Sequence, residues 1–326
     1  MNANPFEPFL RDQGHVVLDG GLATALEERG HVLGSALWSA RLLIEAPHEI
    51  QAVHLEYLNS GADCITSASY QASFAGLVAE GLTDADSEAV IRRSSDLALA
   101  ARDDFRACRP DGSGRRRPIV AASVGPYGAY LADGSEYEGD YGVSASVLDD
   151  FHRRRFGVLA TSGVDVLACE TIPSLAEARV LLEILSAHPS TWIWMSFTCG
   201  DGEHLSDGSR FEDAVRVCAE HARVAAVGAN CSDPGDMAEL MRRAREATDL
   251  PLIAYPNSGE AYDALTKSWA GSPSEHGWMD GVRGSLGAGA RIVGGCCRIG
   301  PESIAVLRRA IESGDWSAHT RIKSQR

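Results

Sequence analysis

Val164-Asp-Val-Leu-Ala-Cys-Glu170-Thr-Ile-Pro-Ser174-Leu-Ala-Glu177-Ala-Arg-Val-Leu-Leu-Glu-Ile-Leu185 is the stretch that decides the fold. Its first part, 164–170, is a nearly continuous apolar run ending in a carboxylate, the pattern of a strand buried on both faces. Ser174 then precedes Glu177 by three residues, a capping-box spacing that opens a helix over 174–185. Working outward, the same strand-like run recurs at 15–19, 63–67, 118–123, 192–197, 224–229, 252–255 and 290–293, eight in all. Helical signals fill several gaps. Residues 47–60 begin at a proline and end before Gly61, and 237–247 and 301–313 read as amphipathic helices. Eight alternations of strand and helix predict an α/β protein with a single (β/α)8 TIM barrel. A doubly wound open sheet remains the alternative, because strand order is not written in a sequence.

Composition fits one such barrel spanning 1–326, with a polar tail after about residue 314. With 45 acidic and 30 basic residues the formal charge is −15, which disfavours nucleic acid and anionic membranes as partners. No apolar run reaches about 18 residues and no secretory signal is visible, so a cytoplasmic protein with small-molecule substrates is expected. It is expected to be a monomer or a small homo-oligomer. Eight cysteines are too sparse for a disulfide framework at this length. The Arg-rich 108–118 stretch reads as a solvated connector near the bottom of the barrel. The 126–142 loop after the third strand carries four tyrosines and is long for a βα connection, which makes it a candidate lid or substrate loop.

Active sites of parallel barrels lie where strands end, so the residues after each run matter most. Cys231 follows the sixth run and Cys296-Cys297 the eighth. If those strand ends face one another across the mouth, three thiols converge, and three thiolates suit zinc with a fourth position left open. Gly294 and Gly295 would let adjacent cysteines share the metal. The competing reading is three buried thiols without a metal. A thiol arriving at such a site would lose its proton near neutral pH and attack a methyl group on a cationic donor. Asp19 and Glu170, also at strand ends, form a candidate pair for an α-ammonium group, and the Gly20-Gly21 amides a candidate cradle for its carboxylate. A helix cap and an arginine partner are the ordinary alternatives for the two acids. Tyr70 and Asn257 lie beside strand ends as candidate substrate contacts, with packing and turn roles set against them. Trp38 is a candidate for facing a cationic donor, with core packing as the alternative, and Trp192 and Trp194 read as barrel core. A Schiff-base lyase is disfavoured, since Lys267 and Lys323, the two lysines, end no strand.

The motifs also carry a family resemblance. Asp19-Gly-Gly-Leu-Ala-Thr, Ile65-Thr-Ser-Ala-Ser-Tyr-Gln-Ala, Cys169-Glu-Thr-Ile-Pro, Gly228-Ala-Asn-Cys-Ser, Tyr255-Pro-Asn-Ser-Gly-Glu and Gly294-Gly-Cys-Cys-Arg-Ile-Gly-Pro resemble the blocks of homocysteine S-methyltransferases. The resemblance implies Zn2+ held by Cys231, Cys296 and Cys297, with the homocysteine sulfur taking the open position. It implies that Asp19 and Glu170, helped by Gly20 and Gly21, hold the amino-acid end, and that the product is methionine. The Thr66–Gln71 and 255–260 blocks look closest to S-methylmethionine users, with S-adenosylmethionine as a secondary donor. Betaine as donor, selenocysteine or selenohomocysteine as acceptor, and a non-catalytic thiol- or zinc-binding member are the alternatives.

Overall fold

The structure, a computed structural model, describes residues 3–31, 39–109, 114–263, 268–270 and 277–316. Trp38, Lys267 and Lys323 lie outside the described residues, as does most of the expected polar tail. The strands are β1 (Val16–Val17), β2 (Cys64–Thr66), β3 (Ile119–Val124), β4 (Val166–Ile172), β5 (Ile193–Phe197), β6 (Val224–Asn230) and β7 (Leu252–Tyr255). A hairpin of β8 (Ala261–Asp263) and β9 (Ser268–Ala270) precedes β10 (Ala290–Val293).

All pairings in the main sheet are parallel, in the order β1-β10-β7-β6-β5-β4-β3-β2. A parallel bridge between Leu18 and Cys64 joins its two outer strands, reinforced by Asp19 N–H donating to Cys64 O at 3.0 Å. The sheet therefore closes into the expected barrel, and the open-sheet alternative is excluded. The antiparallel hairpin after β7 was not expected from the sequence.

Strand residues divide by parity, as a period of two requires. Val16, Leu18, Ile119, Ala121, Val166, Ala168, Trp194 and Ile253 fill the barrel interior. Val17, Ile65, Val120, Leu167, Ile193 and Val227 pack outward against the helices. Trp194 is interior core, its indole N–H donating to Tyr255 Oη at 2.9 Å. Trp192 instead precedes β5 and is only partly buried, under the Arg223 guanidinium at 4.8 Å. Phe6, fully buried, plugs the lower end with its ring 5.9 Å from that of Trp194.

The anticipated helices form at Pro47–Asn59, Leu175–Ser186, Met237–Ala247 and Pro301–Ser313. Ser174 caps its helix by accepting from the Glu177 N–H at 3.2 Å. Glu177 does not complete the reciprocal capping box. Its carboxylate turns away to accept from Tyr127 N–H at 2.6 Å, Tyr141 Oη–H at 3.0 Å and His152 Nε2 at 2.7 Å. The 126–142 loop is thereby pinned to the barrel wall, with a short helix at Tyr127–Leu131 and a 3-10 turn at Ser135–Tyr137.

The described part of the Arg-rich connector is largely exposed, as expected, and its arginines also pair with acids at the lower end of the barrel. Arg115 pairs with Asp63 at 3.3 Å and Arg117 with Asp165 at 3.0 Å, and Arg308 joins Asp63 at 2.5 Å.

Candidate metal centre and active site

Three sulfurs meet at the upper mouth. Cys296 Sγ lies 3.0 Å and Cys297 Sγ 3.5 Å from Cys231 Sγ, and all three fall within 4.8 Å of one another. Metal–sulfur bonds of about 2.3 Å at tetrahedral angles separate sulfurs by roughly 3.8 Å, so the cluster has the right size and donor chemistry for zinc. All three cysteines are free of disulfides. Hydrogen bonds from Cys296 and then Cys297 hold the Cys231 thiol well below its usual range, while the same contacts push Cys296 and Cys297 up. A cation bound by these three sulfurs would displace their remaining thiol protons to solvent.

The convergence arises differently from the expected route. β6 and β10 do not face one another across the mouth; both flank β7, so their ends are second neighbours in the sheet. Cys231 turns inward because its backbone is left-handed, with φ 52°. Thr171, at φ 59°, is strained in the same way, at a cost of about 1–3 kcal/mol for a residue outside its preferred region. The buried Asn230 holds that geometry. Its Oδ1 accepts from Thr171 N–H and its Nδ2 donates to Thr171 Oγ1, both at 2.8 Å, and Nδ2 also lies 3.7 Å from Cys296 Sγ.

Gly294 and Gly295 have ordinary negative φ, so the expected backbone freedom is not what they supply. A Cβ at Gly294 would stand 2.6 Å from Leu18 Cβ and 2.9 Å from Asp19 O. Absence of a side chain lets β10 press against β1, which brings the cysteine pair beside Asp19.

Asp19 is buried, with Oδ2 accepting from Thr66 N–H at 2.7 Å and Oδ1 from Thr66 Oγ1–H at 3.3 Å. Burial nevertheless pushes its carboxyl up to about 8. Glu170 accepts from Ser123 Oγ–H and, at 3.0 Å, from Tyr255 Oη–H. Burial pushes it up to about 7 against those two bonds. Neither acid has an arginine partner among the described residues, and Gly21, not Asp19, occupies the cap position of Leu22–Glu28. Both acids line one cavity of about 160 Å³, where a cation would favour their ionised forms.

The Gly20-Gly21 cradle is only partly free. Gly21 N–H donates to Ile299 O at 2.8 Å, so that amide is committed to the loop after β10. A Cβ at Gly20 would run into the Ile299 carbonyl, which accounts for the glycine. Tyr70 lines the cavity. Asn257 is not among its lining residues. It braces the metal centre from behind, Nδ2 donating to Cys231 O at 3.4 Å and Oδ1 accepting from Gly259 N–H at 2.8 Å.

Sequence reading missed Thr66, Ser123, Tyr255 and Asn230, whose side chains orient the acids and cysteines, and Glu136 and Tyr137, which line the cavity from the 126–142 loop. Tyr137 Oη lies 3.7 Å from Cys231 Sγ. The tyrosine-rich composition of that loop was the available signal.

Comparison with known proteins follows the same lines. The family profile described as homocysteine S-methyltransferase matches residues 16–311. Homocysteine S-methyltransferase YbgG of Bacillus subtilis is 44% identical over 92% of this chain and 96% of its own length. Homocysteine S-methyltransferase of Escherichia coli is 45% identical over 94% of this chain and 98% of its own. The crystal structure of the metallated form of the E. coli homocysteine methyltransferase MmuM superposes with a TM-score of 0.83 at 44% identity, covering 94% of this chain and 99% of that one.

Proposed function

The chain belongs to the homocysteine S-methyltransferase family, and from that premise we propose that it moves a methyl group from S-methylmethionine to the thiol of homocysteine, giving methionine, with Zn2+ as cofactor. The observation that carries this reading is the cluster of three thiols beside two buried acids that have no cationic partner among the described residues.

Cys231, Cys296 and Cys297 would hold the metal. Zinc bound by three thiolates supplies a position at which a substrate thiol is held as its thiolate near neutral pH. The protein's own residues supply the rest. Asp19 and Glu170, aimed by Thr66, Ser123 and Tyr255, take the homocysteine ammonium and fix the direction of its side chain towards the cysteines. The Asn230 amide beside Cys296 Sγ and the brace from Asn257 to Cys231 O keep the sulfurs from relaxing apart. In the transfer, the homocysteine thiolate forms a bond to the methyl carbon while the carbon–sulfur bond of the sulfonium breaks, its electron pair staying on the departing methionine sulfur. The thiol proton has already left to solvent. The donor loses its positive charge in this step, so rate is gained from alignment and thiol activation more than from anions placed against the sulfonium.

Purified protein is expected to hold stoichiometric zinc and to form methionine from homocysteine faster with S-methylmethionine than with betaine. A preference for betaine overturns the donor, and methionine formation by zinc-free protein overturns the cofactor. Cys231→Ala should lose both metal and turnover. Full zinc retention by that variant would move the metal elsewhere.

A further inference from the structure

Two acids lining the cavity, Glu27 and Glu136, are not used by the chemistry above, and of these only Glu136 is buried. Glu136, in the 3-10 turn of the 126–142 loop, is only 6% exposed and lines the same cavity as the cysteines. Its Oε2 finds no hydrogen-bond partner among the described residues. The Glu136 and Gly134 backbone amides support its carboxylate, but Oε2 itself is unmet, whereas Asp19 and Glu170 have donors on both oxygens. A buried carboxylate oxygen without a donor is costly, and a cavity wall keeps one where a cationic ligand completes it.

Placement is enforced by the backbone. A Cβ at Gly128 would collide with the Glu136 amide nitrogen, so the 3-10 turn packs directly on the short helix before it. Glu177 anchors that helix through Tyr127 N–H. Glu136 stands on the Cys231 side of the cavity, where its neighbour Tyr137 reaches that sulfur. Glu170 also stands near Cys231, and its charge raises the proton affinity of Asp19.

We propose that Glu136 is the specificity residue for the methyl donor and binds its α-ammonium group, so that the cavity holds one amino acid by Asp19 and Glu170 and a second by Glu136. The assignment rests on the methyl-transfer reading above. Two amino-acid ligands bring two ammonium groups, and only one is accounted for by Asp19 and Glu170. The ammonium, rather than the sulfonium, is the logical partner. It keeps its charge throughout the transfer, whereas an anion fixed on the sulfonium would favour the ground state over the transition state.

The test is initial-rate kinetics on zinc-loaded wild type and Glu136→Gln, with homocysteine as acceptor and two donors. These are S-methylmethionine and dimethylsulfonioacetate, a sulfonium carboxylate without an amine. The Gln variant is expected to raise KM for S-methylmethionine by about tenfold or more with kcat within about threefold. KM for homocysteine and for the amine-free donor should each stay within about twofold. Glu136→Asp, which keeps the charge on a shorter arm, should recover part of the loss, and unchanged melting temperatures would accompany all three proteins. An unmoved KM for S-methylmethionine, or an equal loss with both donors, overturns the assignment. Failure of wild type to methylate homocysteine with either donor overturns the underlying reading instead.

Discussion

Asp19 and Glu170 ionise near pH 4 when exposed, but burial holds their protons to about 8 and about 7 in the folded, ligand-free protein. The folded state therefore keeps protons on these two acids that the unfolded chain has lost, and their contribution to stability falls as pH rises from about 4 to about 8. Ligand-free protein should show a melting temperature that declines between about pH 7 and 8.5, where histidines no longer contribute. Asp19→Asn should flatten that slope most, because Glu170 is already half ionised where this window begins. Homocysteine should stabilise wild type more at the upper end, because its ammonium pairs with the ionised acids. Differential scanning fluorimetry across pH checks both, and a melting temperature rising through this window would contradict the buried-acid account. At fixed pH, Glu170→Gln should raise KM for homocysteine by about 10- to 100-fold, the loss of a charge-assisted bond, with zinc retained.

At the scale of elements, the helix Leu175–Ser186 and the 126–142 loop are one unit joined by Glu177. The sequence pattern pointed to Glu177 as half of a capping box, and local spacing was right about where the helix begins. It could not show that the carboxylate is taken by Tyr127, Tyr141 and His152, because those partners lie 25 to 50 residues away in the chain. Removing it takes the acceptor from the buried His152 and from the part-buried Tyr127 N–H and Tyr141 hydroxyl. Glu177→Ala should therefore destabilise by about 3 kcal/mol or more in denaturant unfolding. Faster amide exchange confined first to the 126–142 loop should accompany it. Ser174→Ala removes only the cap and should cost about 1 kcal/mol, with no such effect on the loop.

At the scale of the whole molecule, the two ends of the barrel divide the work. The lower end stores stability in ion pairs around Asp63, whose carboxylate also accepts from Val17 N–H at 3.0 Å and Gln13 Nε2 at 2.8 Å. Asp63→Ala removes the carboxylate from Arg115 and Arg308, which keep carbonyl partners and, for Arg308, Glu312, and should cost about 3 kcal/mol while leaving KM for homocysteine unchanged. A shift in KM would mean that the two ends are coupled. The sequence by itself determined the eight barrel strands, the starts of four helices, and the placement of Asp19, Glu170 and the three cysteines in or just after the upper ends of their strands. Such features are written in local periodicity and in the position of each residue relative to its own strand. Only the tertiary structure decided that β6 and β10 flank β7, that Asn230 fixes two left-handed residues, that Asn257 supports rather than lines the cavity, and that Glu136 enters it. Those facts depend on strand order, on contacts between residues far apart in the chain, and on backbone conformations that the closed barrel imposes, none of which a local pattern encodes.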